Sequence, residues 1–446
     1  MAKQTVPVIR GGPVVATLAT GTVLNPLDAT MVAVALNRIQ AHFGVSVAAV
    51  SLLASGFFVA GAVGQALMGE LADRFGPRRV FRAGLLVVAV SCACAPFAPA
   101  SGWLVGLRVV QALGTSVAFP AAMATIRRQL PRSSGKAMGV ITTVNTLSAA
   151  VGPLAGGLLV SWAGWQAVFV ANVPVALIAV LLAGRLLPAD PPRATDAPRM
   201  DLLGAGLHTA ALVALLVFLL DPGSPASWVA IAAAVPFTVA FLLWERRAPK
   251  PFLDVTLIAR RPVLLGVFAQ YALANIAYYG MLYAVPTWLQ ADRGTDPTTA
   301  GLVLVPVAVC SAAVTPPAAR WIQRRGAGPA LLAASAVLVA GGGLMLTVDH
   351  TTPLALITVV CVLVGMVNNP HTLGLQAVLY AHTPTEQTGA VSGFFQGFRY
   401  IGSILSTALL GPALGSQAHA GGLHLVAGAV LGVGALVTVV NLTRAR

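Results

Sequence analysis

The sequence predicts an all-α membrane protein of fourteen transmembrane helices, arranged as two six-helix bundles with two helices inserted between them, and three observations carry that prediction. The first is composition: of 446 residues, 57% are hydrophobic and only 9% charged, with a mean hydropathy of +0.84, far outside the range of soluble domains. The second is the regular recurrence of apolar runs of roughly 18 to 26 residues, each long enough to cross a hydrocarbon layer as a helix. The third is the one-sided distribution of basic residues in the loops between them.

In chain order the runs fall near 13–36, 47–70, 79–99, 103–126, 137–160 and 166–187, then 201–220 and 226–244, then 262–289, 298–319, 328–348, 353–379, 388–412 and 421–441. The start, MAKQTVPVIRGG, places basic residues before an apolar segment as a signal peptide would. The segment that follows is long and carries Asn25, Pro26 and Asp28, so an uncleaved first span is expected. If the path alternates sides, one side receives Lys3 and Arg10, Arg74 to Arg82, Arg127 to Lys136, Arg185 to Arg199, Arg246 to Arg261, Arg320 to Arg325 and Arg444 to Arg446. The other side receives only Arg38 and Arg293. That asymmetry places both termini in the cytoplasm and accounts for the net charge of +14 without a nucleic-acid partner.

The outer blocks repeat at an offset of 250 residues, which aligns Asn25 with Asn275, Met31 with Met281, Arg74 with Arg324, Gly76 with Gly326, Gly139 with Gly389 and Gly152 with Gly402. The matches fall at equivalent places in equivalent spans, as expected of a duplicated six-helix unit. The division is therefore 1–187 for the first bundle, 188–261 for a linker carrying the two inserted helices, and 262–446 for the second bundle. Two such halves with a site between them describe a carrier that rocks between two faces of the membrane.

Asp28 is the one acid placed well inside a span; the others fall near span ends or in loops. An ionised carboxylate there is unfavourable by several kcal/mol unless it is paired, neutralised or faces water, so a functional role is the default. Because desolvation favours the neutral form of a carboxyl group, Asp28 is a candidate proton carrier. The structural alternative is a hydrogen-bonding role with Asn25 or Thr30. A membrane enzyme would need a cluster of His, Asp or Cys near a membrane surface, and a channel would need rings of charge; neither pattern is present. Cys92, Cys94, Cys310 and Cys361 lie in apolar runs and suggest neither a disulfide framework nor a metal site.

Five motifs narrow the reading. The loop after the second span, Gly69-Glu70-Leu71-Ala72-Asp73-Arg74-Phe75-Gly76-Pro77-Arg78-Arg79, has a glycine for close helix approach, a second for a tight turn, and an acid able to meet a helix N-terminus. It resembles the GxLaDrxGrr signature of the major facilitator superfamily. Arg108 and Gln111, in Arg108-Val109-Val110-Gln111-Ala112-Leu113-Gly114, are similar to that family's RxxQGxG pattern, with Ala112 in place of a glycine. Val151-Gly152-Pro153-Leu154-Ala155-Gly156-Gly157 combines a GxxxG packing face with a helix-kinking proline and resembles the GPxxGG signature of the superfamily's exporters. Leu27-Asp28-Ala29-Thr30-Met31-Val32 and Gly164-Trp165 through Asn172-Val173-Pro174 resemble the first and sixth spans of its fourteen-helix drug:proton antiporter family.

The resemblance implies a major facilitator fold and proton-coupled efflux of small amphipathic drugs, antibiotics or metabolites by alternating access. Proton-coupled uptake of a small organic solute is the alternative, and a polytopic enzyme is the remote one. It implies proton coupling through Asp28 and Arg108, a cytoplasmic gate at Gly69, Asp73, Arg74, Gly76, Arg78 and Arg79, and an antiporter helix marked by Gly152, Pro153, Gly156 and Gly157. Polar and aromatic positions within spans are the candidate substrate contacts: Asn25, Gln111, Asn145, Gln270, Asn275 and Tyr278, and further along Tyr279, Trp288, Asn369, Phe395, Gln396 and Arg399. With no further acid for a multiply charged cation and an added arginine at 399, the substrate is expected to be neutral, zwitterionic, anionic or singly cationic. The expected partners are that substrate, protons and the lipid bilayer, with the proton gradient in place of any cofactor or metal. The expected setting is a bacterial inner membrane, with the protein a monomer.

Overall fold

A computed structural model describes residues 11–190, 201–220, 224–249, 261–295, 297–414 and 420–445. Among them the chain is built from helices joined by short turns. The first span is α1 (Gly11–Thr22) continued by α2 (Leu24–Phe43), followed by α3 (Val47–Phe75) and α4 (Pro77–Cys94). Next come α5 (Ser101–Ser116) continued by α6 (Ala118–Gln129), then α7 (Ser134–Ala163) and α8 (Gln166–Leu186). The inserted hairpin is α9 (Leu202–Leu220) and α10 (Pro225–Glu245). The last block is α11 (Pro262–Ala291), α12 (Pro297–Leu302) continued by α13 (Val305–Arg325), α14 (Ala327–Met345), α15 (Leu354–Met366) continued by α16 (Asn368–Ala381), α17 (Thr388–Leu414) and α18 (Ala420–Ala445).

The interrupted spans share one cause. Pro26, Pro120, Pro306 and Pro370 each stand four residues beyond the end of a helix, at Thr22, Ser116, Leu302 and Met366. Proline has no amide proton and its ring crowds the carbonyl four residues back, so the helix stops there and restarts. Pro153 acts the same way on Ala149: α7 bends by 41° between its segments Ser134–Ala149 and Val151–Ala163.

Among the described residues, eleven helical segments are long and apolar enough to cross a bilayer, twelve when the bent α7 is taken as one span. That measure does not confirm the expected count of fourteen. The helices α9 and α17 run Leu202–Leu220 and Thr388–Leu414 and are not among those segments, α9 contributing the shorter apolar helix Leu202–Phe218. Residues 191–200 and 250–260 of the expected linker lie outside the described residues.

Packing differs between the two ends of the molecule. At the end bearing the basic loops one hydrophobic core runs from α1, α4, α6, α7 and α8 into α11, α14, α16 and α17, from Leu18 and Phe81 through Phe268 to Phe395. At the opposite end there are two cores, one around Met31, Leu53 and Phe169 and one around Met281, Trp288 and Val360. The halves are thus welded at the basic end. The inserted hairpin lies along the seam, with Leu212 and Leu216 of α9 packed on Ala62 of α3 and Tyr400 of α17.

Candidate transport site

Asp28 sits on α2, just past the break that Pro26 makes, and is fully buried. Its Oδ2 receives Nη1 of Arg108 from α5 in a buried ion pair, and its Oδ1 accepts from Nδ2 of Asn172 on α8 at 2.8 Å. Arg108 also donates to Oε1 of Gln111 at 2.7 Å, and its guanidinium lies 4.1 Å from the centre of the Phe57 ring. A buried ion pair needs additional hydrogen bonds to offset desolvation, and Asn172, Gln111 and the ring face supply part of that offset. Asn25 and Thr30, the alternative partners suggested by the sequence, are engaged elsewhere. Asn25 donates to Oγ1 of Thr115 at 3.1 Å, and Thr30 bonds to the carbonyls of Pro26 and Leu27 at 2.9 and 3.0 Å.

The GxxxG face of α7 explains how α2 is held. A Cβ on Gly156 would lie 2.9 Å from the Met31 backbone, and one on Gly152 would lie 3.0 Å from the Leu27 carbonyl while overlapping Thr30. Both glycines therefore let α7 touch α2 on either side of Asp28. Gly157 faces open space instead, with nothing within 4 Å of an added Cβ.

The gate residues divide into two groups. Gly69 and Asp73 lie on the seam between halves. The backbones of Gly69 and Gly389 touch, and Asp73 accepts from the Ala390 backbone amide at 2.9 Å, at the start of α17, and from Arg128 at 3.2 Å. Arg127 extends the closure, donating to the Tyr380 carbonyl and to Thr388 Oγ1, each at 2.8 Å. Gln323, the counterpart of Asp73 at the 250-residue offset, lies against Gly135 at the start of α7, with its Nε2 2.6 Å from an added Cβ.

Gly76, Arg78 and Arg79 work within the first half. Gly76 has φ 95°, a conformation that favours glycine. Beyond it the amides of Arg78 and Arg79 donate to Asp190 at 3.0 and 2.8 Å, and the Arg78 guanidinium reaches the Gly184 carbonyl. Asp190 thereby caps α4 from a distance in sequence. Asp190→Ala is expected to lower unfolding stability by about 1 kcal/mol, read in detergent-solubilised protein, with transport largely retained. Arg74 joins neither group; its guanidinium lies 5.4 Å from the Phe75 ring centre.

The candidate substrate contacts are scattered more widely. Asn25 faces the seam, where Tyr400 donates to its Oδ1 at 3.4 Å. Asn369 bridges the halves, donating to Thr146 of α7 at 2.8 Å and to Thr315 of α13 at 3.1 Å. Tyr271 stacks on Phe395 at 3.7 Å between ring centres and donates to Gln396 Oε1 at 2.9 Å, while Asn275 bonds to the Tyr271 carbonyl at 2.7 Å. Gln270 and the side-chain oxygen of Asn145 are buried with no hydrogen-bond partner among the described residues. Tyr278 and Tyr279 meet edge to face at 5.2 Å, and Arg399 lies 4.9 Å from the Tyr400 ring centre. Gln111 belongs to the Arg108 cluster, and Trp288 is fully buried in the apolar core of the second half. The structure adds Asn172, Arg127, Arg128 and Asp190 to the site residues the sequence marks. Asn172 lies within the sixth-span motif Gly164–Pro174, the one local signal among them.

The Major Facilitator Superfamily profile matches residues 18–407. The chain is 33% identical over 405 residues to the MFS-type transporter YwoD of Bacillus subtilis, covering 90% of this chain and 89% of that one. It is 31% identical over 415 residues to the tetracenomycin C resistance and export protein of Streptomyces glaucescens, covering 92% and 77%. Among solved structures, the human organic anion transporter MFSD10 superposes with a TM-score of 0.69 at 16% identity, over 95% of this chain and 99% of that one. At that identity the likeness concerns the fold alone.

Proposed function

The chain belongs to the major facilitator superfamily, a multi-pass transporter and not an enzyme, and we propose that it is a proton-driven exporter of small amphipathic molecules such as antibiotics or secreted metabolites. The observation that carries this reading is the buried Asp28–Arg108 pair, gripped by the exporter-signature glycines of α7 on the flanking turns of α2. A carboxylate that exchanges an arginine for a proton changes the helix contacts it makes. When Asp28 is neutral, Arg108 keeps Gln111 and the ring faces of Phe57 and Phe169, so the attraction between α2 and α5 weakens. The export and resistance role named for the Streptomyces glaucescens relative favours efflux. No metal or cofactor enters the mechanism; the proton gradient is its energy source.

The positive-inside asymmetry orients the basic end, where the halves are welded, toward the cytoplasm. Both termini are then cytoplasmic, in a bacterial inner membrane, and the transporter works as a monomer. Asp73, Arg127 and the Gly69–Gly389 contact form the cytoplasmic gate, and the residues along the seam above it receive substrate from one side and release it to the other.

Inside-out vesicles with a respiration-driven pH gradient, reported by a quenched dye and challenged with an antibiotic and biocide panel, test the reading. Release of quench by at least one compound, absent from vesicles lacking the protein, is expected. Compound leaving the vesicle lumen together with protons would replace export by uptake.

A further inference from the structure

The interior charge balance of the two halves differs. In the first half Asp28 and Arg108 neutralise each other. In the second half Arg399 occupies the middle of α17, and its Nε is out of contact with solvent and with any hydrogen-bond acceptor among the described residues. The ionisable groups that weigh most on it, Tyr400, Tyr279 and Tyr271, are all phenols; among the described residues no carboxylate pairs with it. Arginine stays protonated, so this interior site holds a positive charge with no counter-charge, an arrangement that an anion relieves.

We propose that Arg399 is the anion-recognition residue of the substrate site and that the exported molecule is an amphipathic aromatic monoanion, a carboxylate or phenolate. The assignment rests on the exporter reading above and adds the substrate's charge. Gln396, three residues before Arg399 on α17, accepts from Tyr271 through Oε1, which leaves its amide N–H₂ to donate. The same region is rich in rings, with Tyr279 between Tyr278 and Tyr283 at 5.2 and 5.9 Å and Phe58 of α3 6.2 Å from Tyr400. These suit an aromatic body attached to the charged group. Tyr400 also reaches Asn25 across the seam at 3.4 Å, three residues before Asp28, so the anion site abuts the helix that carries the proton. Exchange of one anion outward for one proton inward moves two charges in the same sense, so transport should be strongly electrogenic.

Three probes sharing one ring system test this on the purified full chain in nanodiscs: anthracene-9-carboxylate, anthracene-9-carboxamide and (anthracen-9-ylmethyl)trimethylammonium, with binding read by fluorescence. The carboxylate is expected to bind on the order of tenfold or more tighter than the amide. Arg399→Gln should abolish that preference while Arg399→Lys retains most of it, with both variants eluting as folded protein. In proteoliposomes, an interior-negative potential should accelerate efflux of the carboxylate. The proposal is overturned if the amide or the cation binds as well as the carboxylate, if the preference survives in Arg399→Gln, or if none of the three binds. Cation export linked to protons would overturn it while leaving the exporter reading intact; carboxylate binding without proton-linked export would do the reverse.

Discussion

Asp28→Asn is expected to bring substrate-dependent release of the vesicle pH gradient down to the level of vesicles without the protein, the largest functional loss of any single substitution. Asparagine matches the carboxyl group in size and can still meet Asn172, but it neither takes up a proton nor carries charge toward Arg108. It leaves a buried guanidinium unpaired, and removing one partner of a buried pair is typically destabilising by about 3–5 kcal/mol. Loss of transport alone would therefore confuse misfolding with loss of coupling. The double variant Asp28→Asn/Arg108→Gln separates them, because it removes both charges and should recover much of the stability. We expect it to unfold in detergent closer to wild type than either single variant, while proton-linked release stays at background. Coupled transport persisting in a folded Asp28→Asn protein would mean that the proton is carried elsewhere.

What the sequence made legible followed from rules that act locally or across a whole span. Hydropathy located the apolar segments, the loops carried the charge asymmetry, and a single interior acid stood out because so few residues of its kind occur there. The pairing of Asp28 with Arg108 was within reach because two isolated opposite charges in a low-dielectric interior have few alternatives. The helix breaks were equally encoded, in prolines that each end a helix four residues earlier, yet only the kink at Pro153 was anticipated.

Partners distant in sequence were not legible. Asp190 caps α4 across 112 residues, and Asp73 finds the Ala390 amide across 317; no local pattern marks such encounters before the fold brings them together. Nor could composition show that Trp288 belongs to a core and not a cavity, since an interior tryptophan serves either.

Gly393→Val is expected to prevent closure at the basic end and to reduce transport at least about tenfold, because here backbone meets backbone. A Cβ on Gly393 would overlap the Gln65 carbonyl and lie 3.0 Å from the Ala66 Cα. Neither contact is the end of a side chain that could rotate aside, so α3 and α17 must separate. The same seam holds Gly69 against Gly389 and the Asp73 bond to Ala390, and separation at Gly393 should loosen both. Thr146→Cys reports the change: Thr146 lies between the halves against Asn369, and should be protected from a membrane-impermeant maleimide supplied on the side of the basic loops. In the Gly393→Val background the label should enter. Gly428→Val is the control, since an added Cβ there has nothing within 4 Å, and it should change neither transport nor labelling. If Gly393→Val transports normally and the cysteine stays protected, the contact of α3 with α17 is not the element that closes the basic end, and the closure must rest on Arg127 and its bonds to Tyr380 and Thr388.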